Sequence, residues 1–117
     1  MNREHISYPT PQLLADAVAA RTLLLADDIL CRPDRERVDI ALTGGTDGIA
    51  ILRALAGSPL LDVPDWSKVH LWWGDERFVA ANSAARNAVG AYDALLDMLL
   101  ETKRIARNQI HEMPADR

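Results

Sequence analysis

Val38-Asp39-Ile40-Ala41-Leu42-Thr43-Gly44-Gly45-Thr46-Asp47-Gly48 is the stretch whose reading decides the fold. Val38, Ile40 and Leu42 alternate with Asp39 and Ala41, a strand pattern of about five residues that runs straight into a glycine-rich turn. A helical apolar pattern then resumes at Ile49, Ile51, Leu52 and Leu55, and Gly57 with Pro59 closes it. Strand, turn and helix N-terminus therefore follow one another without a linker. Downstream, Val69 to Trp73 reads as a second apolar strand that ends abruptly in Gly74-Asp75-Glu76-Arg77. Upstream, Thr10-Pro11 is an N-cap followed by proline at the first helical position, and Leu14, Val18, Leu25 and Ile29 carry the helix to about Leu30. Residues 86–100 form a third helix, with Ala88, Tyr92, Leu95, Leu96 and Leu99 on one face. His5 to Tyr8 and Gln109 to Met113 are read as short further strands, the second stopped by Pro114. Strands alternating with helices indicate an α/β layered domain with parallel βαβ units, spanning 1–117 as one domain.

Ligands of such sheets bind at the carboxyl ends of the strands. Two segments sit there, residues 43–48 and 74–77. In the first, consecutive glycines let backbone N–H groups approach an anion, the helix start adds a favourable dipole, and the Thr46 hydroxyl is a further donor. The same loop also reads as a tight turn that binds nothing. Thr43 stands where a dinucleotide fingerprint has its first glycine, and no Gly-Lys-Ser/Thr follows, so nucleotide binding is disfavoured. In the second segment Arg77 is suited to bidentate phosphate binding and Asp75 to orienting a hydroxyl, a water or an imidazole. The alternative there is a local ion pair capping the strand end. His70 in mid-strand reads as a packed or hydrogen-bonded core residue, His111 has no partner at ligand spacing, and His5 reads as exposed. Trp66, Trp72 and Trp73 read as core and helix-packing residues, and Cys31 as a helix-end residue. No spacing of ligands points to a metal site.

Composition narrows the field. The 117 residues are 49% hydrophobic and 26% charged, an ordinary globular balance. The single cysteine excludes an internal disulfide framework, and 13 basic against 17 acidic residues argue against a nucleic-acid surface. No apolar run approaches the roughly 20 residues needed to span a bilayer. The N-terminus shows no signal-peptide core, so a cytoplasmic location is expected. The basic residues are 11 arginines and only Lys68 and Lys103, and arginine is the better planar fork for oxyanions.

The segment Asp65-Trp66-Ser67-Lys68-Val69-His70-Leu71-Trp72-Trp73-Gly74-Asp75-Glu76-Arg77-Phe78-Val79 resembles the 6-phosphogluconolactonases, which act at the second step of the oxidative pentose phosphate pathway. The glycine loop before it, Arg86-Asn87, Ala94-Leu95-Leu96-Asp97 and Ile110-His111-Glu112-Met113 fall in that family's order, so the resemblance covers nearly the whole chain. It implies a three-layer α/β/α, Rossmann-like fold with a mainly parallel sheet, and hydrolysis of 6-phospho-D-glucono-1,5-lactone without metal or organic cofactor. It also implies that Gly44, Gly45 and Thr46 line the phosphate site, Arg77 grips the phosphate, Asp75 orders the catalytic centre and Asn87 supports the pocket wall. The chemistry would be general-base activation of water, attack on the lactone carbonyl and stabilisation of the oxyanion.

Two departures qualify the resemblance. Asp47 stands where the family has a small residue, and its carboxylate repels a phosphate unless it turns outward or caps the helix. The family is also roughly twice as long, and its general base lies in a Gly-x-Asp-Gly-His segment that this sequence lacks. The chain therefore reads as the N-terminal half of a lactonase domain, inactive alone. Its open sheet edge and apolar helix face favour self-association or pairing with a C-terminal half. The alternatives are a non-catalytic sugar-phosphate-binding or regulatory domain of the same fold, and a related sugar-phosphate isomerase or deaminase, against which Gly74-Asp75-Glu76-Arg77 argues.

Overall fold

A computed structural model describes residues 7–74, 76, 83 and 86–114. Helix α1 (Pro11–Leu30) starts as expected: Thr10 accepts a bond from the Leu13 N–H at 3.1 Å and proline fills the first position. Its Ala15, Ala19, Leu23 and Ala26 are buried, four or three residues apart on one face. Strand β1 (Val38–Leu42) leads through Gly44 into α2 (Gly45–Gly57), and α1 lies along α2. A 3₁₀ turn (Trp66–Lys68), capped by the Asp65 side chain, opens β2 (Val69–Trp73). β1 and β2 pair in parallel from Val38↔Val69 to Leu42↔Trp73. The expected βαβ unit is thus present.

The last helical region is α3 (Asn87–Ala91), a π-helical stretch Tyr92–Leu96 and α4 (Asp97–Glu101), joined without a break. It ends in a Schellman motif, with Arg104 N–H on the Leu99 carbonyl at 2.9 Å and Lys103 N–H on the Leu100 carbonyl at 3.1 Å. The strand expected over Gln109 to Met113 shrinks to one parallel bridge, Leu71↔Ile110, reinforced by His111 N–H on the Leu71 carbonyl at 2.8 Å. The cause is a 3₁₀ turn at Arg107–Gln109, which turns Gln109 inward. Its side-chain amide donates to the carbonyls of Trp66 at 2.7 Å and Val69 at 2.8 Å, and its side-chain oxygen accepts from Ala106 N–H. A buried carboxamide with every partner in place substitutes for strand pairing. Of the first expected strand, Ser7 and Tyr8 are not in a strand, and His5 and Ile6 lie outside the described residues.

Apolar residues of all the helices join Val38, Leu42, Val69, Leu71 and Trp73 in one core. Strand alternation sends Asp39, Ala41, His70 and Trp72 to the other face. That face is open among the described residues, where helix and sheet make two of the three expected layers, and Trp72 is 39% exposed. Trp72 is therefore no core residue, whereas Trp66 and Trp73 are buried as expected. Among the described residues, no helix is long and apolar enough to cross a membrane.

Candidate functional site

Both strand ends open on the same side. Gly74 N–H bonds to the Leu42 carbonyl at 3.2 Å, so the segment leaving β2 starts beside the glycine loop leaving β1. Gly44 is the extended N-cap of α2, and Gly45, at φ +79°, makes the left-handed step that lets the chain enter the helix there. The helix consequently begins four residues before the apolar pattern at Ile49, and Gly45 and Thr46 belong to its first turn. Thr46 is exposed.

Asn87, the first residue of α3, packs against this turn: a Cβ placed on Gly44 would lie 2.0 Å from its side-chain oxygen. The structure thus brings together Gly44 and Asn87, two residues singled out separately in the sequence. Asp75 and Arg77 lie outside the described residues. Asp47 is not the N-cap considered for it. It sits in the first turn of α2, exposed, and with Thr46 it lines a cavity of about 120 Å³ against Pro11, Gln12 and Leu14 of α1. The first turn is a favourable place for a carboxylate, because its charge answers the helix dipole. A larger cleft of about 540 Å³ lies between α1 and α2, but it is lined by Gly57 and Ser58 at the other end of α2, away from the strand ends.

Glu76 and Arg86 organise the site. The Glu76 carboxylate accepts the N–H groups of Asn87 at 2.6 Å and Ala88 at 2.9 Å, doing for α3 what a capping side chain does. Arg86, its side chain 2% exposed, stands 4.0 Å from Glu76 and 3.5 Å from Glu112, and donates to the carbonyls of Met113 and Pro114. Glu76 pairs across the fold with Arg86 rather than within the strand-end cluster, and its bonds to the first N–H groups of α3 set where Asn87 stands. Arg86 entered the sequence reading only through the family resemblance. An arginine directly before a helix start, where a small polar cap is usual, was the available signal.

On the open face of the sheet the imidazoles of His70 and His111 meet at 2.8 Å, nitrogen to nitrogen. His111 also stacks on Trp72 with ring centroids 3.9 Å apart. Trp72 donates its indole N–H to Asp39 at 3.0 Å, and Asp39 pairs with Arg37 at 2.9 Å. Burial alone would raise the Asp39 carboxyl, but these bonds and the Arg37 and His70 charges outweigh it and hold it below the usual range. His70 is hydrogen-bonded as expected but is not a core residue, because strand alternation turns it to the open face, where it meets His111, 41 residues later in sequence. Cys31 caps the end of α1 and is exposed. Among the described residues no cluster of three or more histidine, cysteine or carboxylate side chains could hold a metal.

Residues 9–117 match the family model described as glucosamine-6-phosphate isomerases/6-phosphogluconolactonase. The chain is 44% identical over 95 residues to a 6-phosphogluconolactonase of Streptomyces coelicolor, an alignment covering 80% of this chain and 36% of that protein. It spans between about a quarter and under half of the length of the curated relatives it matches. Among solved structures, the devB protein superposes with TM-score 0.70 at 27% identity, over 93% of this chain and 42% of that one. The 6-phosphogluconolactonase of Trypanosoma brucei, at 21% identity and TM-score 0.68, covers 92% of this chain and 38% of its own and shares the fold.

Proposed function

Because the chain belongs to the glucosamine-6-phosphate isomerase/6-phosphogluconolactonase family, we propose that the protein it forms hydrolyses 6-phospho-D-glucono-1,5-lactone to 6-phospho-D-gluconate, and that this chain supplies the phosphate side of the site. The observation that carries the reading is the meeting of Gly44 with Asn87 at the carboxyl ends of two parallel strands, where α/β sheets take their ligands. Gly44, Gly45 and Thr46 would present the first N–H groups of α2 to the phosphate, and Arg77 would clamp it. Asp75 would order the catalytic centre, and Asn87, held by Glu76, would form the wall that turns the lactone ring toward it.

A water gives its proton to a general base and its oxygen attacks the lactone carbonyl. The tetrahedral oxyanion then collapses, the ring C–O bond breaks and the departing ring alkoxide takes the proton held by the base, becoming the product hydroxyl. No residue of this chain is assigned as the base. The exposed thiol of Cys31 fits a reducing compartment, and we set the reaction in the cytoplasm. The open sheet edge and the apolar face of α1, where Leu13, Leu14, Leu24 and Leu25 are exposed, would be the surfaces for the association expected from the sequence.

Loss of the lactone above its spontaneous rate, together with titration of the 117-residue chain by 6-phosphogluconate, tests the proposal. Turnover would show that the chain carries its own base. Saturable binding without turnover, weakened in R77A, supports a phosphate half-site. Absence of both turnover and saturable binding would overturn the reading.

A further inference from the structure

The imidazoles of His70 and His111 are near-parallel, with planes 19° apart and centroids 5.1 Å apart. With nitrogens 2.8 Å apart, that centroid distance is little more than the contact itself plus one ring radius at each end. The rings therefore meet edge to edge, and each nitrogen points at the other. Two lone pairs aimed at each other cannot converge on a metal ion. The contact is a one-proton hydrogen bond, in which one ring donates Nδ1–H or Nε2–H and the other must be unprotonated at the facing nitrogen.

Among the described residues, both rings sit where the C-terminal segment runs along β2, just beyond the bond from Gln109 to the Val69 carbonyl: Ile110 bridges Leu71, and the His111 N–H bonds the Leu71 carbonyl. We infer that the His70–His111 pair is an acid-opened clasp, in which a second proton on the pair sets two N–H groups against each other and releases His111 from β2 and from its stack on Trp72.

The charges around the pair favour this response. From β1 and the residue before it, His70 faces Asp39 and Arg37, and from the C-terminal segment it faces His111. Burial, then the Arg37 charge, then His111 oppose its protonation, and Asp39 only partly offsets them because its carboxylate already serves Arg37 and Trp72. Against His111 lie the neutral Trp72 ring and His70, and the next residue, Glu112, is engaged by Tyr92 and Arg86. Among the described residues, the carboxylates beside the pair, Asp39 and Glu112, are thus already committed to other partners. The clasp also reaches the strand-end site, since the carbonyls of Met113 and Pro114, just beyond it, hold Arg86 opposite Glu76.

The test is amide hydrogen exchange and a heteronuclear NMR titration of the 117-residue chain from about pH 7.5 to about pH 4, a window that extends below the ordinary histidine range because the first proton on the pair resists the second. After correction for intrinsic exchange, protection of the His111 amide falls about tenfold or more, the Trp72 indole N–H shifts in the same transition, and amides of α1 and β1 keep their protection. In H111F, whose ring keeps the stack but takes no proton, the transition is absent. H70Q gives the same flat response and decides the matter if H111F does not fold. Unchanged protection of His111 in the parent chain would overturn the inference. So would a transition that α1 and β1 share, or one that persists in either folded variant.

Discussion

Asn87 occupies the space that any side chain at Gly44 would need, its carboxamide oxygen 2.0 Å from where a Cβ would stand. Any side chain at position 44 must therefore displace the carboxamide of a residue 43 positions later. G44A should destabilise the chain by about 1–3 kcal/mol, the usual cost of overpacking. Shortening the neighbour should recover part of the loss, so that G44A/N87S is more stable than the sum of the single changes. Urea denaturation of the four proteins measures this coupling, and strict additivity would refute the contact.

Arg86 and Glu76 form a pair with both side chains 2% exposed. Removing one charge leaves the other buried, which typically costs about 3–5 kcal/mol. R86A should approach that range, moderated by the partial exposure of Glu112, and should loosen Asn87 and Ala88, whose N–H groups Glu76 holds. Denaturant midpoints and amide exchange at these two positions provide the measurement, and a loss below about 1 kcal/mol would contradict the arrangement.

Lys103 adopts φ +60° at the residue where Schellman motifs usually carry glycine. A left-handed conformation costs an ordinary residue about 1–2 kcal/mol, and glycine repays part of that relief through greater unfolded-state entropy. K103G should therefore stabilise the chain by about 0.5–1 kcal/mol, read as a higher thermal midpoint. A lower midpoint would show that the lysine side chain compensates for its backbone.

Burial first, then the bond to Glu112, push the Tyr92 hydroxyl up to about 12. The native state thus prefers the neutral phenol more than the unfolded chain does. Its contribution is complete below the ordinary value of 10.0 and is lost as pH rises through about 12. Stability should fall over that alkaline window, and Y92F should flatten this limb of the curve. An unchanged limb in Y92F would assign the alkaline loss to other groups.

Periodicity made most of the scaffold legible. The expected ranges of α1, β1 and β2 coincide with the observed ones, because each has an uninterrupted apolar pattern and a local stop signal. The start of α2 was harder to place, since Gly44 to Asp47 carry none of the apolar pattern and only backbone geometry draws Gly45 to Asp47 into the helix. The π-helical stretch at Tyr92–Leu96 leaves no mark in a short apolar run. In the candidate site, Gly44 and Asn87 were each identifiable by resemblance, but their contact depends on Glu76 and Arg86, whose burial only the tertiary structure creates. The same holds for His70 and His111, each unremarkable alone and joined across 41 residues.

Gln109 has a consequence for how the chain reaches its fold. Its amide satisfies the Trp66 and Val69 carbonyls, which lie 43 and 40 residues earlier. The beginning of β2 therefore cannot settle on its immediate neighbours alone, and its two buried acceptors wait for a loop of that length to close. Closures of this span are paid for before they are rewarded, and they set the pace of small α/β chains. On a ribosome, β1 and α2 would be able to associate well before β2 is secured, and Gln109 would act as the late latch that commits the sheet.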